Sequence, residues 1–116
     1  MSLELPNSIR IGPYTFDVNE RDEKWHRTHN DYGSMILEDL MINVVTEDRP
    51  AMFVLDTLVH EINHGIWSVW NLNDNDSEER VVAVMATGWL AVLRDNPDLL
   101  ALIQATVGPA KRKGGA

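Results

Sequence analysis

Alternation of apolar and polar residues marks the first part of the chain. From Ser8 to Asn19, apolar side chains stand among polar ones with a break at Gly12-Pro13, a pattern typical of β-strands. The apolar-rich run from Met35 to Val45 predicts one or two further strands, with Glu38-Asp39 as a turn. The stretch between these regions, Glu20 to Gly33, is rich in charge and histidine and is predicted to be a loop.

Helical periodicity marks the second part of the chain. Capping candidates within Thr46–Pro50, and a proline near the first turn, predict a helix from about Pro50 to Trp70. After a polar loop, a second helix is expected from near Ser77 to just before Asn96-Pro97. A third, short helix is expected over residues 97–107. Strands first and helices after indicate an α+β domain.

The first long helix carries apolar residues on two sides. His60 and His64 share one side with Phe53 and Trp67, roughly 150° around the axis from an apolar stripe. We therefore predict a helix that is buried on both sides, with polar partners for its histidines. The stripe consists of Met52, Leu55, Val59, Ile62, Ile66 and Val69.

Length and composition indicate a single domain. The chain has 116 residues, of which 44% are hydrophobic, so we expect one core over residues 1–107 and a flexible tail over 108–116. No apolar run approaches the roughly 18–20 residues of a membrane span, and the first residues lack the features of a secretion signal. We therefore expect a cytoplasmic location and no membrane partner. The chain has no cysteine, so a metal would be held by histidine and carboxylate.

The net charge of −8 argues against direct binding to nucleic acid. Two interpretations of this acidity stay open. It can simply keep a small protein in solution, or it can form an acidic surface that mimics DNA for a basic partner. Positive charge is concentrated only at Lys111-Arg112-Lys113, inside the expected tail.

Residues 60–64 carry the motif HExxH, with His60, Glu61 and His64 as its fixed positions. Histidines four residues apart lie one helical turn apart, so both imidazoles can bind one tetrahedral zinc at about 2.0–2.1 Å. Beside the metal, the carboxylate of Glu61 could deprotonate a zinc-bound water. The alternative is a helix with incidental histidines, but a mid-helix motif opposite an apolar stripe favours the metal site.

HExxH leaves one ligand to be found, because a catalytic zinc usually has three protein ligands and a water. The candidates are His26 and His29, in the predicted loop, and Glu78 and Glu79, at the start of the second helix. The spacing of His26 and His29 also suits an auxiliary metal site. Histidines in a polar loop are, however, more commonly solvated side chains.

The segments LVHEINHGIW at 58–67 and EERVVAVMA at 78–86 together resemble the minimal gluzincin core of ImmA/IrrE-type metallopeptidases and of small phage or prophage proteins. The resemblance covers roughly residues 35–100 and is most specific at HExxH. It implies a zincin-like fold, with a small N-terminal sheet packed on the HExxH helix and on a following helix that bears a ligand. It also implies hydrolysis of a specific protein or peptide, in the cytoplasm of a bacterial host if the protein is phage-encoded.

The same resemblance favours Glu79 over Glu78 as the third ligand. In that family the second helix reads Glu-x-x-Ala-Asn/Asp-x-Phe-Ala, and the match is better when it starts at Glu79. Ala83 departs from the family's Asn or Asp, which puts in doubt a hydrogen bond to a ligand histidine. Glu79 also has a structural interpretation, as the glutamate of a capping box in residues 76–79.

Several aromatic residues are secondary candidates. Trp67 and Trp89 are predicted to be core residues, although tryptophans could also line a substrate pocket. Tyr14 and Tyr32 are candidates for stabilising an oxyanion.

The resulting hypothesis is a zinc metallopeptidase of the gluzincin type. His60, His64 and Glu79 would bind Zn²⁺, Glu78 is the alternative third ligand, and Glu61 would be the general base. The substrate would be a protein or peptide that adds alongside an exposed sheet edge. Two alternatives stay open: a non-catalytic binding protein stabilised by zinc, and an acidic DNA-mimic inhibitor in which HExxH is incidental.

Overall fold

Four strands form one mixed sheet in the N-terminal part of the chain. The structure, a computed structural model, describes residues 4–108. The strands follow the order β1-β2-β4-β3, in which β2 and β4 are parallel and the other two pairs antiparallel. The turn between β1 and β2 contains Gly12, whose φ of +59° suits glycine. The strands are β1 (Ser8–Ile11), β2 (Tyr14–Arg21), β3 (Gly33–Ile36) and β4 (Met41–Val45).

The region from Met35 to Val45 therefore contains two strands, with the turn at residues 37–40 between them, as predicted. The prediction of a loop over Glu20–Gly33 is wrong, because this region contains the helix α1 (Glu23–His29). Asp22 caps α1 by accepting a hydrogen bond from the backbone N–H of Trp25 at 2.9 Å. The helix has seven residues and buries none of them, so no apolar period marks it in the sequence.

Three longer helices follow with nearly the predicted bounds: α2 (Ala51–Val69), α3 (Glu78–Asp95) and α4 (Pro97–Val107). The predicted capping residue before α2 is wrong, since Pro50 occupies the cap position and makes no side-chain hydrogen bond there. Ser77 caps α3 by accepting a hydrogen bond from the backbone N–H of Arg80 at 3.1 Å. The cap is therefore one residue later than a capping box ending at Glu79 requires.

One face of α2 packs on the sheet and forms the core. Close packing is possible at Gly65, where an added Cβ would lie 2.5 Å from Cδ1 of Ile11. The sheet, α2 and the pair α3 and α4 all contribute fully buried residues to this core. The sheet contributes Ile9, Ile11, Phe16, Ile42 and Val44, α2 contributes Leu58, Ile62 and Ile66, and α3 and α4 contribute Val92 and Leu99.

The prediction that α2 is buried on both sides is wrong. His60 and His64 are exposed, and Phe53 and Met52 keep 59% and 49% of their surface accessible. The reason lies in the packing, because within residues 4–108 no element covers the histidine face of α2. That face is therefore open to a ligand.

The architecture is α+β, as predicted, with one four-stranded sheet and four helices in the part of the chain that the structure describes. None of the helices between residues 4 and 108 combines the length and apolarity needed to cross a bilayer. Apart from Gly108, the predicted tail 108–116 lies outside the described residues.

Candidate metal centre

The two histidines of HExxH converge on one point in front of α2. The Nε2 atoms of His60 and His64 are 3.1 Å apart, and the ring planes are inclined at 70°. Two nitrogens bound to one tetrahedral zinc at about 2.05 Å would be roughly 3.3 Å apart. The observed separation of the two Nε2 atoms is therefore close to the one that such an ion requires. The same separation also permits an N–H···N hydrogen bond between the rings.

Glu61 points to the other side of the same helix turn and is almost completely buried, with 5% of its surface exposed. Its carboxylate lies against the start of β3, because a Cβ on Gly33 would come within 3.0 Å of Oε2. Burial raises the pKa of Glu61 above its ordinary range. The charge of His60 opposes this shift, and the charge of Asp31 increases it. A glycine at position 33 thus leaves room for a carboxylate that holds its proton more tightly than usual.

A small pocket of about 160 Å³ opens beside Glu61. Its wall includes Asp31 and Tyr32, from the segment between α1 and β3, and His60. His60 therefore faces this pocket and also the metal position. His60 thus connects the pocket of Glu61 to the histidine pair.

A larger groove of about 570 Å³ lies on the other side of the histidines, between α2 and α3. Trp89 holds the two helices together here, since its Nε1 donates a hydrogen bond to Oδ1 of Asn63 at 2.7 Å. Trp67 lines the groove and is half-buried, so its prediction as a core residue is wrong, whereas Trp89 packs against the core. The groove is lined by His60, Asn63, His64, Trp67, Asp74, Val81 and Met85.

Neither candidate glutamate of α3 reaches the histidines in the described side-chain positions. Glu78 and Glu79 are both exposed, and among residues 4–108 no third histidine or acidic ligand atom lies within 4.8 Å of both imidazoles. At about 100° per residue, Glu78 lies roughly 20° around the axis from Met85, and Glu79 roughly 120° from it. Glu78 is therefore on the groove side of α3, and Glu79 faces away.

Asp74 is a candidate that the sequence reasoning missed. It lies in the loop between α2 and α3 and lines the groove together with both histidines. The available signal was its place in an acidic loop that joins the HExxH helix to the next one. A carboxylate on that loop can approach a metal held by α2.

His26 and His29 lie on α1 and make local contacts. Nδ1 of His26 lies 2.9 Å from the carbonyl oxygen of Asp31, and its ring stacks on Tyr32. Nδ1 of His29 lies 2.9 Å from the carbonyl oxygen of Trp25, and its ring stacks on the Trp25 ring. Neither belongs to a group of three potential metal ligands in the described part of the chain.

The one such group among these residues consists of Glu23, Glu47 and Asp48. All three are exposed, and exposed carboxylates commonly cluster without a metal. Of the two tyrosine candidates, Tyr32 borders the pocket of Glu61, and Tyr14 lines neither the pocket nor the groove.

The chain matches no model of a known protein family, and no curated protein or solved structure is significantly similar to it. The structure shows the α+β class. The resemblance to gluzincins stays a prediction, because no comparison tests it.

Proposed function

We propose that this protein is a zinc-dependent metallohydrolase whose centre lies on α2. The observation that carries the proposal is the arrangement of three side chains at positions 60, 61 and 64 of one helix. The Nε2 atoms of His60 and His64 are 3.1 Å apart, close to the separation that one zinc ion requires, and the largely buried Glu61 borders a pocket whose wall includes His60. Exposure of the histidines gives a metal and a substrate access to the site.

His60 and His64 would hold the zinc, and Glu61 would act as general base. When bound, the zinc would polarise a carbonyl and lower the pKa of a water ligand. The carboxylate of Glu61 would accept a proton from the attacking water and later donate it to the leaving amine. A raised pKa suits this double role, because the protonated form must persist long enough to act as an acid.

For the third ligand we propose Glu78, in preference to the Glu79 that the family pattern favours. The helical position of Glu78 on the groove side supports this choice, since a change of its exposed side-chain rotamer could turn it toward the histidines. Glu79 would need a rotation of α3 about its own axis. Asp74, which lines the groove, is the alternative ligand.

We further propose that the reaction is hydrolysis of a peptide bond. β3 supports this substrate class, because within residues 4–108 it pairs with β4 on one side only and leaves its other edge available to an extended peptide. The edge begins at Gly33, directly beside Glu61, so a peptide on it would pass the general base. The groove on the α3 side would receive an apolar side chain against Trp67 and Met85.

The experiment that tests this function compares the zinc-loaded protein with its Glu61→Gln variant on a peptide library, with products read by mass spectrometry. We expect the variant to keep its zinc and to lose turnover by at least about 100-fold, the size of a typical general-base contribution. Equal turnover in both proteins would contradict the assignment of Glu61.

The third ligand is tested by zinc affinity. Glu78→Ala is expected to weaken zinc binding much more than Glu79→Ala, which serves as the matched control on the neighbouring position. A larger effect of Glu79→Ala would reverse the choice, and small effects of both would direct attention to Asp74.

A zinc-stabilised binding protein is the second candidate. The histidine pair alone, without a converged third ligand, is compatible with it. In that case Glu61→Gln would leave the biological activity unchanged.

A further inference from the structure

We infer that the small pocket between α2 and the start of β3 binds a cationic group of the substrate, a lysine or arginine side chain. The inference rests on the proposed function for its role in substrate choice, but the binding of a cation does not depend on turnover. It would make the protein selective for basic residues next to the reacting bond.

Three of the seven residues that line this pocket carry carboxyl groups. Asp31 comes from the segment before β3, and Asp56 and Glu61 come from successive turns of α2. The carboxylate of Asp31 is held in place, because its Oδ1 accepts a hydrogen bond from the backbone N–H of Tyr32 at 2.8 Å. A fixed carboxylate loses little freedom when it binds a cation.

Cations of the protein do not neutralise this pocket. Within the described residues, no lysine or arginine nitrogen lies within 4.0 Å of these three carboxylates, since the ion pairs found there all lie elsewhere. The charge of Arg49 interacts with that of Asp56. Its guanidinium donates hydrogen bonds to the carbonyl oxygen of Val45 at 2.8 Å and to Oγ1 of Thr57 at 3.0 Å, and it lies over the ring of Tyr32 at 4.2 Å. It reduces the negative charge of the wall without entering the pocket.

Glu61 supplies a second, independent observation. Its side chain is 5% exposed and borders the pocket, yet its carboxylate accepts no hydrogen bond from any residue between 4 and 108. No fully buried polar side-chain atom in residues 4–108 lacks a hydrogen-bond partner, so the Glu61 oxygens reach the pocket, where they need a donor from water or from a ligand. The pocket is the space from which that donor can reach it.

The size of the pocket fits the end of a basic side chain. Its volume of about 160 Å³ equals roughly five water molecules at about 30 Å³ each in the liquid. An ammonium or guanidinium group with its last methylenes fits such a volume. An apolar side chain would leave the carboxylates desolvated and unpaired, so the pocket should reject it.

Asp31 and Asp56 are therefore the residues that we assign to the cation, while Glu61 is kept for water and contributes its negative field. His60 borders both this pocket and the apolar groove on the α3 side. A substrate that spans the centre would thus carry a basic residue on the β3 side.

The test that is independent of turnover is an NMR titration of the metal-free, ¹⁵N-labelled protein. Nα-acetyl-lysine N-methylamide and the arginine analogue are the probes, and Nα-acetyl-norleucine N-methylamide, which has no charge on its side chain, is the matched control. We expect saturable shifts of the amides of Tyr32, Gly33 and Thr57 with both cationic probes and not with norleucine. Equal shifts with norleucine would overturn the inference on the wild-type protein alone.

Variants sharpen the test. Asp31→Asn and Asp56→Asn are each expected to weaken binding of the lysine probe about tenfold, the size of one charge-assisted contact. Asp39→Asn, which removes the same charge from the exposed turn between β3 and β4, is expected to leave it unchanged. Unchanged binding in both pocket variants, with normal thermal unfolding, would also overturn the inference.

Turnover separates this inference from the proposed function. If the zinc-loaded protein cleaves library peptides without preference for lysine or arginine, the inference fails and the function stands. If it cleaves none of them but the metal-free protein binds the cationic probes as expected, the function fails and the cation pocket stands.

Discussion

Replacing Glu61 by glutamine is expected to stabilise the metal-free protein at neutral pH, although it removes the proposed general base. Glu61 is 5% exposed, and burial raises the pKa of its carboxyl group. The folded protein therefore binds this proton more tightly than the unfolded chain does. Ionisation of Glu61 at neutral pH consequently works against folding.

The sign of the pH dependence follows from the raised pKa. Well below the ordinary glutamate value of 4.5, the group is protonated in both states, so its ionisation does not affect the free energy of unfolding. As the pH rises from there through the higher pKa of the folded state, the wild-type protein progressively loses stability that the Glu61→Gln variant keeps. The difference between the two proteins should thus be smallest near pH 4 and should grow as the pH rises toward 7.

The size of the effect is set by the partial loss of water around the carboxylate, which is the main cause of its raised pKa. Burial of a polar group costs about 1–3 kcal/mol in mutational data, and glutamine removes the charge but keeps a polar amide. We therefore expect a gain of about 1 kcal/mol in the free energy of unfolding at pH 7. For a domain of this size, that corresponds to about 4 °C in melting temperature.

Thermal unfolding by circular dichroism, in buffers with EDTA between pH 4 and pH 7, measures this difference. Glu79→Gln is the control, because it makes the same substitution at an exposed position of α3. A Glu61→Gln protein that melts at or below the wild-type temperature at pH 7 would refute the reasoning. A gain that is the same at every pH would also refute it, since it could not come from ionisation.

Three further substitutions test the packing that positions the site. Gly33→Ala should lower the melting temperature, because its Cβ would lie 2.7 Å from a methyl group of α2 and 3.0 Å from a backbone oxygen of β4. Such overpacking costs about 1–3 kcal/mol, and an unchanged melting temperature would contradict this close approach. Trp89→Phe removes the 2.7 Å hydrogen bond to Asn63 and should cost about 1 kcal/mol in urea unfolding, so equal stability would mean that this bond does not hold α3 on α2. Asn96→Ala removes a buried amide that makes two hydrogen bonds to the backbone of β1 and one to the backbone of α3. We expect it to lower the free energy of urea unfolding by about 2–3 kcal/mol, and a loss below about 0.5 kcal/mol would contradict a role of these bonds in joining β1 to α3.

The longer helices were predictable because their signals are local. Pro50 and Pro97 stand at helix starts, Ser77 caps α3, and apolar residues recur at helical spacing between these points. The helix α1 gives no such signal, since it buries no residue and is recognisable only by the cap at Asp22. A period can reveal a helix only where one of its faces is buried.

The candidate site was predictable only where its parts lie on one helix. The spacing of His60 and His64 fixes their proximity, because a helical turn brings positions i and i+4 together. The identity of the third ligand depends on how α3 is placed and rotated relative to α2. The loop over residues 71–76 and the packing of α3 determine this placement, and residue spacing in the sequence does not reveal it. The exposure of the histidine face also depends on where α3 and α4 pack, so the prediction of burial on both sides was wrong.

Zinc binding by the untagged protein tests the central claim most directly. The chain is incubated with zinc, freed of excess metal by gel filtration and analysed by mass spectrometry for metals, beside a His60→Ala/His64→Ala variant whose folding is checked by circular dichroism. We expect about one zinc per wild-type chain and almost none in the folded variant. A zinc content near zero in the wild type, or an equal content in both proteins, would contradict the account.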